Sequence, residues 1–85
     1  MDLVRAHINS KENLEILQKS ELCGCFYCKK TYCPCEINDW LNESNGKKTA
    51  VCPYCGIDSV ISESTDYLLT KLFLESMHNY WFETI

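Results

Sequence analysis

Two short stretches of the chain share one pattern, Cys25-Phe26-Tyr27-Cys28-Lys29 and Cys52-Pro53-Tyr54-Cys55-Gly56. Each places two thiols three positions apart. At that spacing a tight turn lets both sulfurs converge on one ion while the intervening amides point at sulfur. Two such turns supply four soft ligands, and zinc takes four soft or borderline ligands in a tetrahedron. Between the pairs lie 23 residues, somewhat more than the roughly 15–20 of the commonest ribbons. Cys25, Cys28, Cys52 and Cys55 are therefore expected to hold one structural Zn(2+). Iron fits the same tetrahedron, because sulfur ligands alone do not separate the two metals.

A staple of this kind suits the size of the chain. Its 85 residues fit one domain, 1–85, and a core that small is worth only roughly 3–5 kcal/mol by itself. The expected organisation is an N-terminal helical segment (1–20), a metal-binding core (21–61) and a C-terminal helix (62–85). The seven cysteines are an odd number and cannot all pair within the chain. The start of the sequence, Met1-Asp2-Leu3-Val4-Arg5, lacks the apolar run of a signal peptide. No stretch reaches the roughly 18–20 apolar residues of a membrane span. A cytoplasmic protein with reduced thiols is expected, in which cysteine pairs signal metal or redox chemistry more often than a disulfide framework.

The fold class expected is a small α+β zinc-bound domain: two Cys-x-x-Cys knuckles with short strands, packed against a long C-terminal helix and two shorter helices. Asn9 and Glu12 suit a capped start for a helix over residues 10–19, with Leu14 and Leu17 on one face. Pro34 fits a first helical position, Glu36 suits the positive end of the helix dipole, and Ile37, Trp40 and Leu41 recur at i, i+3, i+4. A helix from Pro34 to Glu43 follows, ended by Asn45-Gly46. Lys48–Val51 and Asp58–Ile61 read as strands around the second knuckle, where Gly56 supplies a left-handed turn residue. The clearest helix is 66–82, capped by Ser64, Thr65 or Asp66. Its apolar face is expected to carry Leu68, Leu69, Leu72, Phe73, Met77, Tyr80 and Trp81, with Lys71, Glu75 and Asn79 opposite.

Other chemistries compete for the same residues. Cys52-Pro53-Tyr54-Cys55 is also the active-site tetrapeptide of glutaredoxins. Pro34 and Pro53 are the only prolines, so the later cis-proline of a thioredoxin-like fold has no candidate, and about 30 residues after Cys55 are too few for the rest of that fold. Cys23 reads as a small buried neighbour of the site. Cys33 and Cys35 read as a helix cap and a first-turn residue, with a reactive thiol or a second metal site shared with Cys23 and His7 or His78 as alternatives. No catalytic constellation is evident, and a four-cysteine site has no open position for catalysis. The formal net charge of −4 disfavours a general phosphate-backbone binder. Lys29, Lys30, Lys47 and Lys48 nevertheless flank the knuckles and could form a basic patch or simply balance the thiolate charge.

The two knuckles resemble those of rubredoxin-like zinc ribbons. The wider pattern is Cys23-Gly24-Cys25-Phe26-Tyr27-Cys28, Glu36-Ile37, Trp40, Cys52-Pro53-Tyr54-Cys55-Gly56-Ile57-Asp58-Ser59-Val60-Ile61 and Met77-His78, Tyr80-Trp81-Phe82. Across residues 10–82 it is similar to a family of small bacterial cytoplasmic proteins without an assigned activity. The resemblance implies the fold and leaves the function open. In that family serines tend to stand where Cys33 and Cys35 stand here, which weighs against these two as ligands. The function expected is a non-enzymatic zinc-binding module for protein–protein interaction, an adaptor or an inhibitor or immunity-type protein. Tyr67, Leu74 and Phe82 fall outside the main stripe of the last helix and, with the four lysines, are candidate contacts to a partner protein or to a second copy. The alternatives are a nucleic-acid-binding ribbon that uses Lys29, Lys30, Lys47 and Lys48, and thiol–disulfide exchange at Cys52 and Cys55.

Overall fold

The computed structural model describes residues 3–64 and 67–83. In chain order it contains α1 (Leu3–Ile8), α2 (Leu14–Gln18), β1 (Cys23–Cys25), β2 (Thr31–Tyr32), a 3-10 turn (Pro34–Glu36), β3 (Asp39–Asn42), β4 (Lys48–Val51), β5 (Val60–Ser62) and α3 (Lys71–Phe82). This is a small α+β architecture with every named strand pair antiparallel. One sheet has the order β2-β1-β5 and the other is the β3-β4 hairpin.

Apolar burial divides into two clusters that meet across the three-stranded sheet. Ala6, Phe26, Ile61, Tyr67, Leu69, Phe73, Leu74 and Met77 form the first, beneath α3 and α1. Leu17, Tyr32, Ile37, Ala50 and Val60 form the second, together with Cys23, Cys25 and Cys52. Phe26 and Ile61 belong to the first cluster while Cys25 and Val60, their chain neighbours, belong to the second. The alternation of a strand thus gives each face of the sheet its own core.

The segment expected to be a helix from Pro34 to Glu43 is a hairpin arm. Helical structure stops after one turn, because Ile37 adopts an extended conformation (φ −77°, ψ 123°). Asp39–Asn42 then pair with Val51–Lys48. Gly46, at φ 84°, turns the chain, and Glu43 N–H donates to the Lys47 carbonyl at 2.9 Å to close the loop. Without β3 the whole of β4 would lie unpaired at a sheet edge. Trp40 is half-buried and Leu41 is exposed, the alternation of a strand rather than the shared face of a helix.

The N-terminal helix is shorter than the expected span of residues 10–19. Glu12 lies at φ 53°, which breaks helical continuity, and its N–H donates to Thr49 Oγ1 at 2.8 Å. Asn9 and Glu12 therefore do not form a cap, and a separate helix, α1, precedes them. Asn13 occupies the cap position of α2 but makes no capping bond. It reaches across the molecule instead. Its Nδ2 donates to the Val60 carbonyl at 2.8 Å and to the Asn9 carbonyl at 3.0 Å, and its Oδ1 accepts the Ala50 N–H at 3.0 Å. One buried amide thus ties β4 of one sheet to β5 of the other.

The last helix begins at Lys71, capped by Thr70, whose Oγ1 accepts the Phe73 N–H at 3.1 Å. Ser64 forms an isolated bridge with Tyr67 instead of a cap, and Thr65 and Asp66 lie outside the described residues. The buried face is Phe73, Leu74 and Met77, with Trp81 half-buried. Leu72 and Tyr80, expected inside, are exposed at 71% and 43%. Docking against α1 sets this rotation: the Trp81 indole N–H donates to the Leu3 carbonyl at 3.1 Å and its ring lies 3.9 Å from that of His7.

Candidate metal centre

The two Cys-x-x-Cys turns have the same backbone. In the first, Lys29 N–H donates to the Cys25 carbonyl (2.7 Å) and Cys25 N–H to the Lys30 carbonyl (2.9 Å). In the second, Gly56 N–H donates to the Cys52 carbonyl (2.9 Å) and Cys52 N–H to the Ile57 carbonyl (3.0 Å). The residue after the second cysteine is left-handed in both, Lys29 at φ 68° and Gly56 at φ 78°. The first turn is thus built on lysine where the second has the glycine that this conformation favours.

These turns bring Cys25, Cys28, Cys52 and Cys55 together with all four sulfurs within 4.8 Å of one another. The short separations run between the pairs: Cys25 to Cys55 is 3.6 Å and Cys28 to Cys52 is 3.7 Å. A tetrahedron with metal–sulfur bonds of about 2.3 Å has edges of about 3.8 Å. The cluster therefore has the dimensions of a four-thiolate cage and can hold a metal ion. Among the described residues it is the one group of three or more cysteine, histidine or acidic side chains placed to share an ion.

The electrostatics of the cage fit that use. Burial pushes the Cys25 thiol up, against hydrogen bonds from the Cys28 and Tyr27 amides. Burial likewise pushes Cys55 up to about 11, opposed by the Ile57 amide. Cys52 goes the other way: burial raises it, but the Tyr32 hydroxyl and the Tyr54 and Cys55 amides outweigh burial and lower the thiol. The Tyr54 N–H lies 3.4 Å from the Cys52 sulfur. The buried Tyr32 hydroxyl has no hydrogen-bond partner in the structure, and its proximity is one of the influences that lower the Cys52 thiol. Amides directed at sulfur favour thiolates, whereas burial without a cation favours the protonated form at Cys25 and Cys55. A dication resolves that opposition.

Cys23 is fully buried beside the cage, its thiol facing the Tyr32 carbonyl at 3.4 Å. Burial pushes it up to about 12, as befits an inert thiol. Cys33 and Cys35 are joined to each other as a disulfide and are not part of the cage. His7 and His78 are also outside it, packed among aromatic rings: His7 with Phe26 and Trp81, His78 with Tyr27 and Phe82. A second metal site built from Cys23, Cys33, Cys35 and a histidine is therefore not assembled among the described residues.

The expected partner contacts separate. Leu74 and Tyr67 are core residues, 1% and 8% exposed, and cannot meet a partner without unfolding. Leu74 is buried because the helix is rotated so that Leu72 faces out. Phe82 is 42% exposed and packs edge-on to Tyr27 of the first knuckle at 4.9 Å. Lys30 lies over the Tyr54 ring, 5.2 Å from its centroid, and Lys47 and Lys48 line a groove with Glu12 and Glu15. The second lysine pair thus shares its surroundings with carboxylates, a poor setting for a phosphate backbone. Sequence reading missed Tyr32, Asn13 and the left-handed Lys29. Only the last had a visible signal, its alignment with Gly56 in the paired knuckles.

No family model, curated protein or solved structure matches the chain. Among the described residues no helix is long and apolar enough to cross a membrane.

Proposed function

We propose that the chain is a non-enzymatic zinc-binding module that presents a surface to another protein. The observation that carries this reading is the closed cage, four thiols within 4.8 Å with every ligand position taken by the chain. A tetrahedral ion with four protein ligands has no site for substrate or water, and so acts on folding rather than chemistry. Zinc suits the reading because four cysteines in a tetrahedron are its usual structural set, with iron as the competitor. Exposed apolar side chains on and beside α3 include Leu68, Leu72, Tyr80 and Phe82, at 64%, 71%, 43% and 42%. Apolar side chains of this size on a small acidic domain suit contact with a partner protein or a second copy.

Native mass spectrometry is the direct test, because it reads metal identity, metal number and subunit number together. One zinc per chain, lost with helical circular dichroism when a chelator is added, is the expected result. A chain that carries no metal, or keeps full helicity after chelation, overturns the structural-zinc reading. For the surface, L68D and L72D should abolish partner binding or self-association while leaving zinc content and melting behaviour in place.

A further inference from the structure

The Cys33-Pro34-Cys35 segment has no part in the cage, and its setting differs from that of the other cysteines. Both residues are exposed, whereas Cys23, Cys25 and Cys52 are buried and Cys28 and Cys55 half-buried. They are joined across one proline, with Cα atoms 5.1 Å apart. The backbone that carries them is fixed. Pro34 is buried and opens the 3-10 turn, and Glu36 Oε2 accepts the Cys33 N–H at 3.3 Å. The same carboxylate accepts a hydrogen bond from the Tyr54 hydroxyl through its other oxygen. Both cysteines also line an open cavity of about 290 Å³, with Leu17, Gln18, Ser20 and Trp40 in its wall. The pair is therefore held at bonding distance, reachable by solvent, and bordered by a recess large enough for a small thiol.

We propose that Cys33 and Cys35 form a thiol–disulfide exchange site whose substrates are low-molecular-weight thiols and disulfides of the glutathione class, separate from the metal cage. The two sulfurs have different roles. The Cys35 N–H donates to Cys33 Sγ at 3.2 Å, so Cys33 is the sulfur better able to carry negative charge. In the reducing direction an incoming thiolate attacks Cys35 Sγ, the Cys33–Cys35 bond breaks, and Cys33 leaves as the stabilised thiolate. A second small thiolate attacks the sulfur of the small molecule on Cys35. That releases a small-molecule disulfide and the Cys35 thiolate, and each protein thiolate then takes the proton its attacker gave up. Two electrons pass from two small thiols to the protein. The oxidising direction is the reverse, with the small disulfide as oxidant. In it Cys33 closes the bond by attacking Cys35 Sγ of the mixed disulfide.

The test uses full-length, metal-loaded protein equilibrated in buffers of reduced and oxidised glutathione, quenched by alkylation and read by intact and peptide mass spectrometry. Metal content is followed in the same samples. Alkylation should map to Cys33 and Cys35 in reducing buffer and be lost at both together in oxidising buffer, with the metal unchanged. C33S should trap one glutathione on Cys35 and keep it. C35S should hold glutathione less well, by about fivefold, the worth of one hydrogen bond to the sulfur that remains. A pair that stays dithiol in fully oxidised glutathione, or oxidation that links a cage cysteine and expels metal in step, overturns the proposal. If the protein proves to carry no metal, the peptide map still reads positions 33 and 35, so the exchange site stands or falls separately from the zinc reading.

Discussion

Replacing Asn13 by alanine tests whether one buried amide holds the two halves of the metal site in register. The side chain is 2% exposed and joins the Ala50 N–H of β4 to the Val60 carbonyl of β5. β4 leads directly into the second knuckle, and β5 pairs with β1, which leads into the first. Asn13→Ala leaves a buried N–H and a buried carbonyl short of a partner and loses the bond to Asn9. Each orphaned buried group costs about 1–3 kcal/mol, so the total expected is about 2–6 kcal/mol. A domain of this length has only about 4–13 kcal/mol in all. Urea unfolding of the metal-loaded protein, at fixed free zinc, should show the midpoint fall by about 1 M or more. Asn13→Asp should do no better, because a carboxylate there would face two carbonyl oxygens. S20A is the control: its hydroxyl bonds the Ile16 carbonyl at an exposed site, and the change should stay within about 0.5 kcal/mol. An Asn13→Ala effect no larger than that of S20A would refute the idea that this residue couples the sheets.

Three further outcomes follow from named features. Lys29→Gly relieves a left-handed lysine and should stabilise the protein by about 0.5–1 kcal/mol, whereas Gly56→Ala should cost about 1–2 kcal/mol, both read by urea midpoint. L74A removes a fully buried side chain and should cost about 2–5 kcal/mol, while L72A, on the exposed side of the same helix, should be nearly neutral; equal effects would show that the helix is rotated otherwise. Stability of the metal-loaded protein should fall below neutral pH, because protons compete for the cage thiolates and weaken metal binding; a urea midpoint that does not drop between about pH 8 and about pH 5 would count against the cage.

The metal cage was legible because ligand chemistry restricts residue type and spacing at once. Thiols three apart, twice, have few other uses in a short chain, and the repeated Cys-x-Tyr-Cys signalled two turns of the same shape. The segment between them was not legible for an equally physical reason. Ile37, Trp40 and Leu41 satisfy a helical spacing, and only the presence of β4 as a strand in need of a partner turns Asp39–Asn42 into β3. The face of α3 was misread in a similar way. Its apolar residues spread beyond one stripe, with Leu72 and Phe82 bordering the polar side of Lys71, Glu75 and Asn79, so the buried side is chosen by what it packs against, here α1 and Phe26, rather than by its own periodicity. Cys33 was read correctly as a cap, and structure adds that Cys35 folds back onto it.

The position of the cage along the chain also bears on how fast the protein folds. β1 must find β5, with Cys25 opposite Val60, across a long intervening loop that contains the complete β3-β4 hairpin. That hairpin needs only its own short turn and can form early. An ion that has already gathered Cys28 and Cys52, 24 positions apart, leaves only the few residues from 25 to 28 and from 52 to 60 to be ordered. Shortening the effective loop in this way lowers the closure cost by about 1 kcal/mol. Metal present during refolding should therefore speed the search for the central strand pair as well as hold the finished structure.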